Sequence, residues 1–167
     1  MIDISAVGAS VRIDPAVGGG HTITKFSDEG TPFDAGDVDV STNAKNLNGI
    51  MISSRTPAVY PVSVTVIPGS DDDVWLQQLL QNASIMPGSV NSIGSLRISS
   101  ITLDIPEIDA SGEDGVVRTR RYKWTNGRIK SGPTGPSTSA EGRQSARTYT
   151  FEMEKFEGVS CSGTVVS

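Results

Sequence analysis

The sequence predicts a mainly β protein, an antiparallel β-sandwich or barrel with one flanking α-helix, and two observations lead to this fold class. About seven to nine segments alternate polar and apolar residues, which is the period of a half-buried strand. The chain also contains 18 glycines and 9 prolines, more helix-breaking residues than a helical bundle tolerates. A length of 167 residues is typical of one domain, so we expect residues 1–167 to fold as a single unit.

Short strands are expected in the N-terminal half, which is otherwise rich in glycine and irregular. In one of them Asp37 and Asp39 alternate with Val38 and Val40, so the two carboxylates share one face. Residues 26–34 contain glycine and proline and predict a loop. The predicted strands of this half are residues 10–14, 21–25, 37–41 and 62–67.

Residues 71–83 predict the helix. Ser70 is a suitable N-cap, and three aspartates in the first turn meet free backbone N–H groups and the positive end of the helix dipole. Four large apolar side chains then recur at helical spacing and form a stripe that we expect to cover one face of a sheet. These core residues are Trp75, Leu76, Leu79 and Leu80.

The C-terminal half returns to strand patterns. Residues 116–124 alternate, and Asn126-Gly127 predicts a tight hairpin turn because both residue types tolerate a positive φ, with residues 128–130 beginning the return strand. Residues 131–144 are rich in Gly, Pro, Ser and Thr and predict a mobile, exposed loop. Two further strands are expected at residues 97–105 and 146–156, the latter with Tyr149, Phe151 and Met153 facing inward.

No combination of residues predicts a catalytic or metal site. The chain has one histidine, His21, and one cysteine, Cys161, which excludes an internal disulfide and a cysteine-based zinc site. A Ser-His-Asp triad would require His21, whose place beside three glycines favours an ordinary surface or interface histidine. Helix capping explains Asp71, Asp72 and Asp73 better than cation binding does. We therefore expect no enzyme, no metal and no cofactor.

The sequence also lacks the signals of secretion and membrane insertion. Its first residues contain no basic segment followed by an apolar run, which is the pattern of a secretory signal. No apolar stretch approaches the ~20 residues that span a bilayer. We expect synthesis in the cytoplasm and no membrane partner.

The net charge of −5 is unevenly distributed. Residues 1–115 carry 15 acidic and 5 basic side chains, whereas residues 116–167 carry 4 acidic and 9 basic ones. Such polarity indicates a match between the two halves of one chain or between neighbouring copies.

The basic segment at residues 118–130 has two interpretations. Because Tyr122 and Trp124 are interleaved with the cations, it resembles a nucleic-acid-binding hairpin. Alternatively, its side chains pair with acidic partners such as Glu152 and Glu154. The acidic remainder of the chain repels a phosphate backbone and favours the second interpretation.

Three segments, residues 26–34, 43–54 and 60–80, resemble the tail tube proteins of bacteriophages with contractile tails. The shared pattern is a Gly-rich N-terminal strand region, a strand that ends in proline before an acidic-capped helix, and a C-terminal half closed by a long aromatic strand. The resemblance spans most of residues 20–156. It implies a β-sandwich with one helix on its flank, a fold also shared by the tubes of type VI secretion systems and phage-tail-like bacteriocins.

The resemblance also implies a function and a set of partners. Six copies form a ring, their inner strands join into a barrel, and rings stack into a hollow tube through which DNA leaves the capsid without specific binding. The implied partners are further copies of the chain, a sheath, a baseplate or tube initiator, and a tape-measure protein, all in the tail of a virion. The alternatives are a monomeric nucleic-acid-binding β-sandwich that uses residues 118–130, and the tube of a bacteriocin or secretion device.

Two groups of site residues follow from this resemblance. An extended region at residues 26–54 should make ring-to-ring contacts with Phe33 as an apolar anchor, and a lumen for DNA should be lined by carboxylates. Asp37 and Asp39 fit either the lumen or a contact with Arg118 or Arg120 of a neighbour. The interface candidates are Phe26, Asp28, Glu29, Phe33, Asp34, Arg118, Arg120 and Arg121. The lumen candidates are Asp37, Asp39, Asp104, Glu107, Asp109, Glu152 and Glu154.

Overall fold

A computed structural model describes residues 8–16, 18–28, 31–84, 97–109 and 116–165. In these residues strands dominate and one helix interrupts them, so the prediction of a mainly β fold with a single flanking helix is confirmed. The elements are β1 (Ser10–Pro15), β2 (His21–Ile23), β3 (Phe33–Ala35), β4 (Ser41–Lys45), β5 (Met51–Arg55), β6 (Tyr60–Val66), α1 (Asp71–Ser84), β7 (Ile98–Asp109), β8 (Val116–Ser131) and β9 (Arg147–Val165).

The strands form one large sheet and one separate hairpin. The seven-stranded sheet has the order β2-β1-β7-β8-β9-β6-β3, and the two-stranded sheet consists of β4 and β5. Every neighbouring pair is antiparallel. The longest strands, β7 to β9, lie at the centre of the large sheet, and three-residue strands form both of its edges. Because both edge strands are short, they expose few unpaired backbone N–H and C=O groups with which a strand of another chain could pair.

The core lies on one face of the large sheet, where alternate residues of its strands meet the apolar stripe of α1. Each large apolar side chain contributes about 1.5–3 kcal/mol when it is fully buried. As predicted, Leu76 and Leu79 are buried, and Trp75 and Leu80 pack against the core half-buried. The inward orientation predicted for three side chains of the last strand is also confirmed. The buried apolar side chains are Val11, Ile13, Ile23, Val62, Val64, Val66, Leu76, Leu79, Ile98, Ile101, Leu103, Trp124, Tyr149, Phe151 and Met153.

The hairpin predicted at Asn126-Gly127 is wrong, because β8 continues through these residues. Asn126 does have a positive φ of 55°, but the chain does not reverse. Gly127 stays paired with Ile98 of β7 and Met153 of β9. A Cβ atom on Gly127 would overlap the carbonyl oxygen of Glu152, so glycine is needed here for a close approach of two strands rather than for a turn.

Other predicted boundaries also change. The strand expected at residues 37–41 begins only at Ser41, and residues 36–40 are irregular. The loop expected at residues 26–34 contains the start of β3. The last strand runs nine residues beyond the predicted end, to Val165, because its partner β8 is also extended. Residues 132–146 lie outside the regular strands, and the mobility predicted for 131–144 stays a prediction.

Candidate assembly surface

The β4–β5 hairpin has a well-defined turn. Its strands pair from Ser41 opposite Arg55 to Lys45 opposite Met51. The Asn46 side-chain oxygen accepts hydrogen bonds from the backbone N–H groups of Asn48 and Ile50, at 3.0 and 2.9 Å. Such an Asx-type turn fixes the geometry of the turn, although the hairpin stands apart from the large sheet.

The hairpin is nevertheless uncovered. Every residue of β4 and β5 is exposed, and neither strand packs substantially against the large sheet or α1. Leu47 at the turn is fully exposed, and Ile50 and Ile52 are 62% and 57% exposed. Of the ten large apolar side chains that are exposed in the described residues, half lie between Val40 and Ile52. Clustered exposure of this kind marks an interaction site.

The two faces of the hairpin differ in charge. Directly opposed residues of a two-stranded sheet share a face. One face, here called the uncharged face, carries Ala44 opposite Ile52 and Thr42 opposite Ser54, and Ile50 continues it. The other, the basic face, carries Ser41, Asn43, Lys45, Met51, Ser53 and Arg55. An isolated hairpin is marginally stable in water, so burial of the uncharged face would stabilise it.

The structure corrects the place expected for Phe33. This residue lies in β3 opposite Val64, half-buried against the core, with its ring 5.8 Å from that of Trp124. Phe26 is likewise half-buried and pairs with Val66. The two rings therefore pack within their own chain, and Phe33 is not the exposed anchor that the resemblance implied.

The remaining interface candidates of this segment are polar. Asp28 accepts a hydrogen bond of 2.9 Å from Arg143. Asp34 is exposed. Glu29 lies outside the described residues.

The basic segment is partly neutralised within the sheet. Arg121 donates two hydrogen bonds to Asp104, at 2.7 and 3.2 Å, and this contact raises the pKa of Arg121. Lys130 lies 2.9 Å from Glu152, as the second interpretation of the segment expected. Arg120 donates to the Tyr122 hydroxyl, at 3.4 Å. The side chain of Arg118 lies outside the described part of the chain.

The lumen candidates whose side chains are described fall into two groups. Asp104 and Glu152 are held by the cations just described, and Glu154 accepts a hydrogen bond from the Asn126 amide. Asp37 and Asp39 are exposed, and among the described residues they make no ion pair. The side chains of Glu107 and Asp109 lie outside the described part of the chain.

The first turn of α1 contains two buried carboxylates that the sequence explained only as caps. Ser70 is the N-cap as predicted, since its hydroxyl accepts a hydrogen bond from the Asp73 N–H, at 3.3 Å. Asp73 accepts from the Tyr149 hydroxyl at 2.8 Å and from the Gly69 N–H at 2.9 Å, and it lies 3.2 Å from Nε of Arg147. Burial and then the bond to Asp73 raise the pKa of Tyr149 well above its usual value, so this hydroxyl remains a donor.

Asp72 joins α1 to the segment that follows β2. It accepts hydrogen bonds from the backbone N–H groups of Thr24 and Lys25, at 3.1 and 3.0 Å, and its other oxygen lies 2.5 Å from Nε2 of His21. The His21 ring also stacks on Trp75, with ring centroids 5.1 Å apart. His21 is therefore a tertiary contact rather than an ordinary surface residue.

Among the described residues, no three His, Cys, Asp or Glu side chains come together in a way that could hold a metal ion. None of the helical structure described there has the length and apolar character needed to cross a bilayer. The features that stand out are the exposed apolar hairpin and the network at the start of α1.

Comparisons with known proteins agree with a structural role. Residues 2–157 match the model of a family described as tail fiber protein gp32. No curated protein sequence matches the chain.

Similar solved structures are chains from cryo-EM studies of contractile injection systems. One, titled as the sheath/tube terminator of the PVC extracellular contractile injection system in its extended state, has a TM-score of 0.54 and 14% identity, covering 96% of each chain. A second, from the PVC sheath-tube complex in the extended state, has a TM-score of 0.54 and 14% identity over 97% of this chain and 93% of that one. A third, from the anti-feeding prophage tube-terminating cap, has a TM-score of 0.55 and 12% identity over 98% and 93%.

These likenesses extend over nearly the whole of both chains and show a shared fold. They confirm the resemblance to contractile-tail components that the sequence suggested. The family match covers most of the sequence. This chain belongs to the family described as tail fiber protein gp32, and its role is that of a structural component of a phage-tail-like particle.

Proposed function

We propose that this chain is the subunit of a hollow tail tube, in which hexameric rings stack and the β4–β5 hairpin connects one ring to the next. The observation that carries the proposal is the hairpin itself. It has a fixed turn, an uncharged face with exposed apolar residues, and no substantial packing against the other strands or the helix of the described residues. A neighbouring copy that buries this face would stabilise a segment that is otherwise marginal.

The large sheet suits the wall of such a tube. Its central strands β7, β8 and β9 are 12, 16 and 19 residues long, which is long for strands in globular proteins. Ion pairs such as Arg121–Asp104 and Lys130–Glu152 neutralise part of the basic segment within the sheet. A wall with few free cations would let DNA pass without being held by its phosphates.

The proposal implies the partners and the location. Further copies form the rings, a sheath surrounds the tube, and a baseplate or initiator protein and a tape-measure protein meet its ends and interior. The assembled location is the tail of a virion, and DNA is the cargo that passes through the lumen.

Electron microscopy of purified protein at rising concentration tests the proposal. The wild-type chain should form rings and tubes of one diameter. Leu47→Ser with Ile50→Ser should leave the chain folded, because both side chains are exposed, but should prevent stacking. The matched control is Ile67→Ser with Val74→Ser, which removes two other exposed apolar side chains and should form normal tubes. Normal tubes from the hairpin variant would contradict the proposal.

A second candidate role is that of a tube terminator, which closes a tube instead of forming it. Two of the similar structures come from a sheath/tube terminator and a tube-terminating cap, and this favours the second role. The same micrographs separate the two roles. A terminator should stop at single rings at every concentration, whereas a tube subunit should give tubes whose length increases with concentration.

A further inference from the structure

The core face of the large sheet continues beyond the part covered by α1 as a layer of aromatic rings. The helix packs at the Tyr149 end, where Asp73 accepts from the Tyr149 hydroxyl. Towards the other end, Trp124 lies 5.3 Å from Phe156 and 6.4 Å from Tyr122, and Phe156 lies 6.3 Å from Tyr60, measured between ring centroids. Stacked and tilted ring pairs at these distances attract one another, so the layer is a firm surface.

Part of this layer is uncovered. Phe156 and Val159 are 37% and 53% exposed, and Tyr60 and Tyr122 are half-buried. We call these four residues the aromatic shelf. Val159 lies opposite Tyr122 across the β8–β9 pair, which places both on one face of the sheet. All four shelf residues are uncharged, and the cation that contacts them is Arg120, which donates to the Tyr122 hydroxyl at 3.4 Å.

An acidic segment borders the shelf at the edge of the sheet. Residues 34–39 contain three carboxylates and no cation. The Gly36 N–H donates to the Pro61 carbonyl at 3.1 Å, which holds the segment beside the start of β6 and therefore near Tyr60. Residues 41–55, in contrast, contain two cations and no carboxylate. The hairpin and the border of the shelf are thus complementary in charge as well as in apolar character.

We propose that the aromatic shelf receives the β4–β5 hairpin of a second copy of this chain. Ile50 and Ile52 of the uncharged face pack on the shelf. Lys45 leaves the hairpin from the opposite face, and its long side chain extends past the hairpin edge to Asp37 or Asp39 at the border of the shelf. This inference rests on the proposed function, in which the hairpin connects neighbouring copies. What it adds is the surface on the second copy that binds the hairpin. It also assigns the two aspartates to a contact between copies rather than to a lumen.

Cross-linking between introduced cysteines tests the shelf. In a Cys161→Ser background, Ile50→Cys with Val159→Cys should give a ladder of covalent multimers with a short thiol-reactive cross-linker, because each chain then offers one site on its hairpin and one on its shelf. The matched control is Ile50→Cys with Val74→Cys on α1, which is exposed to a similar degree and should give at most dimers. A ladder from the control but none from the shelf variant would overturn the proposal, as would a link closed within one chain.

Charge reversal tests the bordering contact. Asp37→Lys with Asp39→Lys should raise the critical concentration for assembly about two- to fivefold, the range expected for an exposed ion pair. Adding Lys45→Glu should restore part of the loss, whereas Lys25→Glu, which changes a cation outside the hairpin, should not. Equal critical concentrations in all variants would overturn the charge contact.

The outcomes separate this inference from the proposed function. If tubes form but the cross-linker gives no ladder, the shelf proposal is wrong and the proposed function as a tube subunit still stands. If the wild-type chain forms neither rings nor tubes, the proposed function fails. The cross-link in concentrated soluble protein then decides the shelf alone: dimers formed through Ile50 and Val159 support it, and their absence overturns it.

Discussion

At the scale of single residues, Asp72 shows how one side chain joins distant parts of the chain. Its carboxylate is buried, accepts hydrogen bonds from two backbone N–H groups, and contacts the ring of His21. Burial alone would raise the pKa of Asp72, but the hydrogen bonds from Lys25, His21 and Thr24 outweigh it, and the pKa lies below its usual value. The pKa of Asp72 is therefore lower in the folded chain than in the unfolded chain. The ionised carboxylate stabilises the fold at pH values above the pKa of the unfolded chain.

This sign gives a pH prediction. The stabilisation by Asp72 should be complete above the unfolded pKa and should be lost as the pH falls through the folded pKa, in a window below about pH 5. Denaturant unfolding at pH 7 and at about pH 3 checks it for the wild-type chain and for Asp72→Asn. The variant should be less stable at pH 7 by about 1–3 kcal/mol and should lose less stability on acidification. If the wild-type chain and Asp72→Asn lose the same free energy of unfolding between pH 7 and about pH 3, other carboxylates determine the acid sensitivity of the fold.

Gly127 gives a steric prediction at the same scale. A Cβ at this position meets backbone atoms of β9, which cannot yield as a flexible side chain does. Gly127→Ala should therefore lower the free energy of unfolding by about 1–3 kcal/mol. The control is Gly135→Ala, where a Cβ meets nothing within 4 Å and the change should be near zero. A thermal unfolding curve for each variant is sufficient, and similar curves would refute the close approach.

At the scale of elements, α1 stabilises the sheet through its apolar stripe. Leu79 is buried in the core, so Leu79→Ala should cost about 2–5 kcal/mol through lost contacts and the cavity left behind. Val74 lies on the same helix but is exposed, and Val74→Ala should change stability by less than about 0.5 kcal/mol. Denaturant titration of both variants checks the difference. A tolerated Leu79→Asp would show that the stripe is not core.

The helix and the inner strands were predictable because their signals are local. A capping residue, three aspartates and an apolar stripe lie within residues 70–83, and alternation alone set the inward faces of β6 and β9. The hairpin prediction at Asn126-Gly127 was wrong because these residue types occur both in turns and where two strands approach closely. Only the neighbouring strand, with the Glu152 carbonyl oxygen next to Gly127, distinguishes the two cases. A partner so distant in sequence leaves no local signal.

The candidate site was predictable only in outline. The interval 26–54 did contain the exposed segment, but Phe33 looked like the anchor because an aromatic residue in a glycine-rich segment has no visible partner. The structure supplies one in Trp124. The hairpin was less visible, since its apolar residues Leu47, Ile50 and Ile52 are few and stand among polar ones. Alternation around Asn48-Gly49 was the signal that could have found it.

At the scale of the whole molecule, the opposite charges of the two halves are matched partly within one chain. Arg121 contacts Asp104, Arg143 contacts Asp28, and Arg147 lies beside Asp73. Each of these pairs joins a cation from residues 116–167 to a carboxylate from residues 1–115. This internal match leaves fewer charges for contacts between copies, so apolar burial on the hairpin should contribute most of the assembly energy.

The salt dependence of assembly follows from that balance. At about 1 M salt the Debye length is only ~3 Å, and exposed ion pairs are largely screened. An exposed pair contributes about 0.2–1 kcal/mol, whereas burying one large apolar side chain contributes about 1.5–3 kcal/mol. Tubes or rings should therefore persist from low salt to 1 M salt, with a critical concentration that rises by no more than a few-fold. Sedimentation at a series of salt concentrations measures it, with Leu47→Ser and Ile50→Ser as the variant that lacks the apolar contact. Complete dissociation of wild-type assemblies at high salt would show that charge, rather than the hairpin, holds neighbouring copies together.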